Sequence, residues 1–399
     1  MDNFKLFLRI YANKKRVRII GAIFVLLLAW LAISRFVPRP LIIQGASYAD
    51  KGEYDTAITY FNIARLINTT NPYVYYNRGL TYHEQGDFDS AFNDYEKTIE
   101  YDPNFANAYL GRCIIYGKQE KFDLAISDCS TAIALDTLDP SDMAKAFYYR
   151  GLAYAGNGNH KMAISDYAEA IEIAPNLVSP YLSRSAIYID DGNFELALAD
   201  LSKAIEIDPK NPKPYLSLGA IHLYYDRYDL AASNLTGAID IDPNYTAAYY
   251  LRGEAFYKNG QYDLAITDYS KVIELDPSYK KVYFYLGSSY LLRGNNDLAI
   301  VDLYKATQID PNDVEAFIWL GNAYANSQQF PKAVTSYQKA NELLETSYTY
   351  CTLGITYTKM GDFPNAIAAL EKGIELEDTS EVEWCVSALE DAKLGIPAD

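Results

Sequence analysis

The sequence predicts an all-α solenoid: about ten helical hairpins in tandem and a capping helix, preceded by one apolar N-terminal segment. Three observations predict it. The phrase GQYDLAITDYSKVIELDP at Gly260–Pro277 occurs 34 residues earlier as DRYDLAASNLTGAIDIDP (Asp226–Pro243) and 34 later as GNNDLAIVDLYKATQIDP (Gly294–Pro311). Self-similarity at such a period marks stacked units that cannot bury their apolar faces alone. Ten alanines stand in register at spacings of 33 to 38: Ala57, Ala91, Ala125, Ala163, Ala197, Ala231, Ala265, Ala299, Ala333 and Ala366. Twelve residues before each stands a small residue: Gly45, Gly79, Cys113, Gly151, Ser185, Gly219, Gly253, Gly287, Gly321 and Gly354. Helices approach closely only where side chains are small, so the two columns mark one tight contact per unit. Turns such as Lys258-Asn259-Gly260 and pairs such as Asp242-Pro243 punctuate each unit. Glycine accepts positive φ, and proline cannot continue a helix.

The first element is the run RIIGAIFVLLLAWLAISRFVPRP (Arg18–Pro40). Its uninterrupted part, Ile19 to Ile33, makes a helix of roughly 22 Å, short of a bilayer core of about 30 Å. Snorkelling of Arg18 and Arg35 extends the usable span to residues 17–37. Six basic residues precede the run, and the positive-inside rule then puts the N-terminus in the cytoplasm and the body across the membrane. A signal anchor is one reading; a signal peptide cleaved near Ala32-Ile33-Ser34 is the other. Both export the body, to the periplasm or the cell surface if the cell is bacterial. Residues 1–16 form a basic segment in which Phe4, Phe7, Leu8 and Tyr11 fall on one helical face, suited to the cytoplasmic leaflet.

Each hairpin follows from two periodic faces. Nine residues before each alanine is a mostly aromatic column containing Tyr82, Tyr154, Phe256 and Tyr290, and seven further back a second, containing Tyr75, Phe147, Tyr249 and Tyr283. Seven residues make about two turns, so both columns share a face of the first helix. Large residues four after the alanine, among them Phe61, Tyr95, Tyr167 and Tyr269, define the facing stripe of the second helix. The repeats are placed at 38–71, 72–105, 106–143, 144–177, 178–211, 212–245, 246–279, 280–313, 314–346 and 347–380. Repeat 3 departs, with Cys113 in the small column and four extra residues near Asp136–Lys145, read either as a bend or as a neutral loop insertion. Residues 381–399 form the cap and tail: Trp384 continues the aromatic column, and a polar outer face is expected.

The pattern of an aromatic residue, Gly and Tyr on the first helix, Gly-x-Tyr/Phe-x-x-Ala on the second, then Asp-Pro, at period 34, resembles the tetratricopeptide repeat. The resemblance covers Pro38 to about Ser380. It implies a right-handed superhelix with the first helices on its concave side, where partner segments lie. Carried over by position, the partner-binding candidates are Tyr76, Leu80, Leu110, Ile114, Tyr148, Leu152, Leu182, Leu216, Tyr250, Glu254, Phe284, Ser288, Ile318 and Asn322. The basic clamp with which some relatives hold a C-terminal carboxylate has Tyr, Leu and Ile in its places here, so an extended or helical segment with apolar anchors is the expected ligand.

Composition narrows the partners further. The formal charge is −17, and the first 37 residues hold seven basic groups against one acid, so the remainder carries −23. A body this acidic lacks the footprint of a nucleic-acid binder. No phosphate loop, zinc spacing or nucleophile constellation stands out, so neither catalysis nor a cofactor or metal is expected. His160 and His222 sit in aromatic columns as packing residues, while His83 is a lone histidine facing the groove. Cys113 and Cys129 face each other across one hairpin and are a disulfide candidate in an oxidising compartment; buried thiols are the alternative. Cys351 and Cys385 stand 34 apart on successive first helices, whose axes lie about 8–10 Å apart, which argues against a bond. The expected function is a non-catalytic, membrane-anchored scaffold that binds proteins. A soluble exported adaptor or a self-assembling subunit are the alternatives.

Overall fold

The contact between small and large columns organises the glycine-bearing hairpins of the computed structural model, which describes residues 38–376 and 383–397. A Cβ added at Gly45 would lie 2.6 Å from the Phe61 ring, one at Gly151 2.7 Å from Tyr167, and one at Gly321 2.5 Å from Tyr337. The registered alanines are fully buried beside them. Among the described residues there are 21 helices and no strand.

The chain divides into two compact units, one ending at Asp200 and one beginning at Leu201. In the first, the helices pair as Pro38–Ala49 with Tyr54–Ile67, Pro72–Gln85 with Phe88–Tyr101, Ala106–Lys118 with Phe122–Ala134, and Pro140–Gly156 with His160–Ile173. These are hairpins 1 to 4. Hairpin 5 pairs Val178–Asp190 with Phe194–Ile207, and the division falls within its second helix. In the second unit, Pro212–Tyr224 pairs with Tyr228–Ile241, Thr246–Lys258 with Tyr262–Leu275, and Val282–Leu292 with Asn296–Ile309. Val314–Asn326 pairs with Phe330–Leu343 and Ser347–Met360 with Phe363–Glu375, completing hairpins 6 to 10, and Glu383–Leu394 is the cap.

Local chemistry explains the boundaries. Asn71 and Asn211 cap first helices by accepting the N–H groups of Tyr73 and Lys213, with proline at the first helical position. The aspartates of the Asp-Pro pairs close second helices and then bridge the proline: Asp242 accepts the N–H of Asn244 at 3.0 Å, and Asp310 that of Asn312 at 3.0 Å. Many of the acidic residues are therefore turn formers. Within hairpins the turn takes a left-handed residue. Where glycine is missing, Glu120, Asp226 and Gln328 adopt φ of 58°, 55° and 56°.

Three expectations change. The extra residues after hairpin 3 do not form a loop insertion; they lengthen the next first helix to 17 residues, capped by Asp139. The outer face of the cap is mixed and not wholly polar: Glu383, Ser387, Glu390 and Lys393 are exposed, but so are Trp384, Val386 and Leu394. Cys351 and Cys385, expected to be too far apart, are bonded, with Cα atoms 5.5 Å apart. Axis separation misled here, because the chains converge where Gly373 admits the sulfur; a Cβ there would meet Cys351 Sγ at 2.6 Å. Residues 1–37, including the anchor expected at 17–37, lie outside the described residues. Among those described, no helix is long and apolar enough to cross a membrane.

Candidate functional site

The first helices present their faces on a rigid frame, and two devices make it so. One is the small–large contact; in hairpin 3 it is replaced by a covalent bond, Cys113 to Cys129, at the same separation of 16. The other is an ion pair one residue earlier on each helix. Arg78, Arg112, Arg150, Arg184 and Arg252 each reach the aspartate 16 positions on: Asp94, Asp128, Asp166, Asp200 and Asp268. Both nitrogens of the fork engage, as in Arg150 Nε and Nη2 to Asp166 at 2.8 and 2.8 Å. The third guanidinium nitrogen reaches back to the previous hairpin, from Arg252 to the Thr236 hydroxyl at 2.9 Å and from Arg150 to Ser130 at 3.2 Å. The flanking aromatic columns sandwich the cation: the Arg252 guanidinium lies 5.5 Å from the Tyr249 ring and 5.9 Å from Phe256. Sequence reasoning missed this network. Its signal was an arginine preceding the small column in half of the repeats.

The expected binding residues divide by accessibility. In the first unit Leu80 is exposed, while Tyr76, Ile114, Tyr148, Leu152 and Leu182 are half-buried. Tyr76 packs 4.9 Å from Phe105, and burial together with Asp142 and Asp139 pushes its hydroxyl up to about 12. Tyr148 lies 5.9 Å from the buried Tyr167. Leu110 is only 5 % exposed and belongs to the core around the Cys113–Cys129 bond.

In the second unit Leu216, Glu254, Phe284, Ile318 and Asn322 are half-buried, but Tyr250 and Ser288 are withdrawn from solvent. Tyr250 is covered by Tyr279, in the connection after its own hairpin, and by Tyr285 of the next, with ring centres 4.9 and 6.0 Å away. Ser288 donates to the Tyr285 carbonyl at 3.1 Å. Asn322 is engaged too, accepting from the buried Tyr337 hydroxyl at 2.7 Å. Glu254 pairs with Lys258 at 3.2 Å. His83 packs edge-on against Phe88 at 5.2 Å, and burial and Lys118 lower its pKa, so it too serves packing.

One of these residues borders a cavity. Phe284 and Tyr285 wall a space of about 520 Å³ with Ala306 and Ile309. Lys280 and Lys281 line it, and so do Asp310, Asp313 and Glu315. Trp319 stands edge-on to Phe284 at 6.3 Å. An apolar wall with charges of both signs suits a peptide side chain with its flanking charges. A second cleft, of about 670 Å³ in the first unit, is lined mainly by charged residues, among them Arg65, Arg78, Glu96 and Lys97. Among the described residues no cluster of His, Cys, Asp or Glu is arranged to hold a metal ion.

Tandem antiparallel helical hairpins, locked by small–large contacts or in hairpin 3 by a disulfide, and presenting their first-helix faces, define an interaction solenoid. The chain belongs to the tetratricopeptide-repeat family. A model described as TPR repeat matches residues 45–86, 186–224, 253–294 and 287–328. Two described as Tetratricopeptide repeat match 72–105 and 144–177, and 347–379. Together they cover more than half of the chain. No curated protein matches it. Similar solved structures include MamA (residues 41 to the end) from Desulfovibrio magneticus RS-1, at 26% identity and TM-score 0.41, covering 43% of this chain and 97% of that one. A tetratricopeptide repeat protein from Parabacteroides merdae ATCC 43184 is 16% identical, with TM-score 0.44 and coverages of 63% and 98%. YrrB, described as a TPR protein with an unusual peptide-binding site, is 22% identical, with TM-score 0.42 and coverages of 47% and 95%. Proteins of this family are generally non-catalytic scaffolds, and the repeat array is suited to protein–protein interaction.

Proposed function

We propose that this protein is a non-catalytic scaffold that holds a protein segment on the first-helix face of its second unit. The cavity bounded by Phe284 and Tyr285 carries the reading. It offers an apolar wall for one anchoring side chain, and Lys280, Lys281, Asp310, Asp313 and Glu315 supply partners for charges beside that anchor. Apolar anchors give such recognition its affinity, and the charged rim gives register.

The scaffold acts at a membrane, anchored through residues 17–37 with the repeats outside the cytoplasm. The apolar run and its basic flank support this. Two disulfides support it independently, since such bonds persist in oxidising compartments. Cleavage of the segment would leave a soluble exported adaptor instead; the N-terminal residue of the mature protein separates the two.

The test is a photo-crosslinking residue placed at Phe284 in the full chain, in the cells that make it, with a second-helix control at the exposed Leu230. A discrete partner captured from Phe284 and absent from Leu230 is the expected result. Capture from Leu230 alone overturns the assignment of the face.

A further inference from the structure

The arginine–aspartate pair obeys a rule with one exception. Hairpins 2, 3, 4, 5 and 7 keep both residues. Hairpins 1, 6, 9 and 10 have lost both: Gln44 and Tyr60, Leu218 and Asn234, Leu320 and Ser336, Leu353 and Ala369 occupy the two places. Hairpin 8 has lost only the base. Leu286 stands where the arginine would be, and Asp302 remains.

The rest of the guanidinium's surroundings is still in place around Asp302. Tyr283 and Tyr290 correspond to Tyr249 and Phe256, which sandwich Arg252 in hairpin 7. Tyr283 is oriented as in the arginine-bearing hairpins, because its hydroxyl donates to the Pro277 carbonyl at 3.1 Å just as Tyr181 does to Pro175 at 3.2 Å. Ser270 takes the place of Thr236, the hydroxyl that Arg252 reaches, and it is exposed. Leu286, 4 % exposed, is drawn into the core with Tyr269 and Val272, and it fills the room of an arginine stem but not of its head. Lys305 lies over the Tyr283 ring at 6.0 Å without forming an ion pair to Asp302. The Asp302 carboxylate is half-buried and has no cation or donor of its own among the described residues.

A half-buried carboxylate is costly without a partner, and one whose neighbouring columns hold aromatic rings is selective once it has a planar cation. We propose that Asp302, Tyr283 and Tyr290 form a receptor for an arginine side chain presented by a protein partner, entering between the second helices of hairpins 7 and 8. A planar fork satisfies both carboxylate oxygens while stacking on the rings, which an ammonium does not. The site is separate from the Phe284 cavity, so a partner engaging both would be held at two points.

The test uses the full chain and N-acetyl-argininamide as probe, followed by NMR of labelled tyrosines. Saturable shifts at Tyr283 and Tyr290 are expected, with N-acetyl-lysinamide binding roughly tenfold or more weakly. Asp302→Asn should weaken the arginine probe at least about tenfold, the loss of one charge-assisted contact. Leu286→Arg fills the site from within, so it should abolish probe binding and raise the melting temperature. Arg252→Leu should open a second site at Asp268. No saturable shift in the wild type, or binding unchanged in Asp302→Asn, overturns the proposal. Because the Asn variant keeps the shape of Asp302, the test does not depend on whether the other variants fold.

Discussion

The two units of the chain use the same hairpin but lock it differently. The unit ending at Asp200 repeats the arginine–aspartate pair in four successive hairpins, whereas the unit beginning at Leu201 has it only in hairpin 7. Ring contacts occur in both units, but in the second Tyr250, Tyr257, Tyr269, Tyr279 and Tyr285 join one another around the single remaining pair of this kind, beside Phe284 and Trp319. Forked ion pairs specify one geometry. Ring clusters bury area and leave clefts at their margins, and the Phe284 cavity is such a margin. A solenoid can thus add polar pairing to its ring contacts in one stretch and leave it out in another, where ring clusters border a cavity.

The largest effect expected on this contrast comes from breaking a pair in the first unit. Arg150→Leu leaves Asp166, only 2 % exposed, as an uncompensated charge; a loss of about 3–5 kcal/mol is expected. Amide exchange should report it in hairpins 4 and 5 first, because solenoid stability is local. Next in size is the covalent lock of hairpin 3. Replacing Cys113 and Cys129 together by alanine should cost about 3 kcal/mol by the loop-closure estimate, seen as a lower urea midpoint. Glycine and tyrosine at those positions, the pair used in hairpin 4, should recover part of it.

A smaller, pH-dependent effect sharpens the comparison from the second unit. Burial raises the Asp302 carboxyl from 3.8 to about 6. The folded state therefore holds this proton more tightly than the unfolded chain, and stability falls as pH rises from about 4 to about 6. Asp302→Asn should melt higher than the wild type at pH 7, and the difference should vanish below about pH 4. The smallest effect belongs to the turns. Gln328→Gly relieves a left-handed residue and should add about 1 kcal/mol, measured as a small rise in melting temperature.

The hairpins were legible because each depends on columns that a sequence displays directly, alanine against glycine and ring above ring. The ion pairs were equally legible, at the same separation of 16, but charged residues in helices read as solvated surface until their burial is known. The Cys351–Cys385 bond was not legible, since an average helix spacing says nothing of where two backbones converge. Nor did column membership separate Phe284, which borders a cavity, from Tyr250, which later residues cover. That difference arises from Tyr279 and Tyr285, residues of other columns folding over it.

The central claim is that a protein segment is held at the Phe284 cavity. Hydrogen exchange of the full chain, with and without the partner captured from Phe284, tests it most directly. Slowed exchange confined to residues 280–292 and 306–315 is the predicted result. Protection limited to the arginine-bearing hairpins of the first unit, with those segments unchanged, would contradict it.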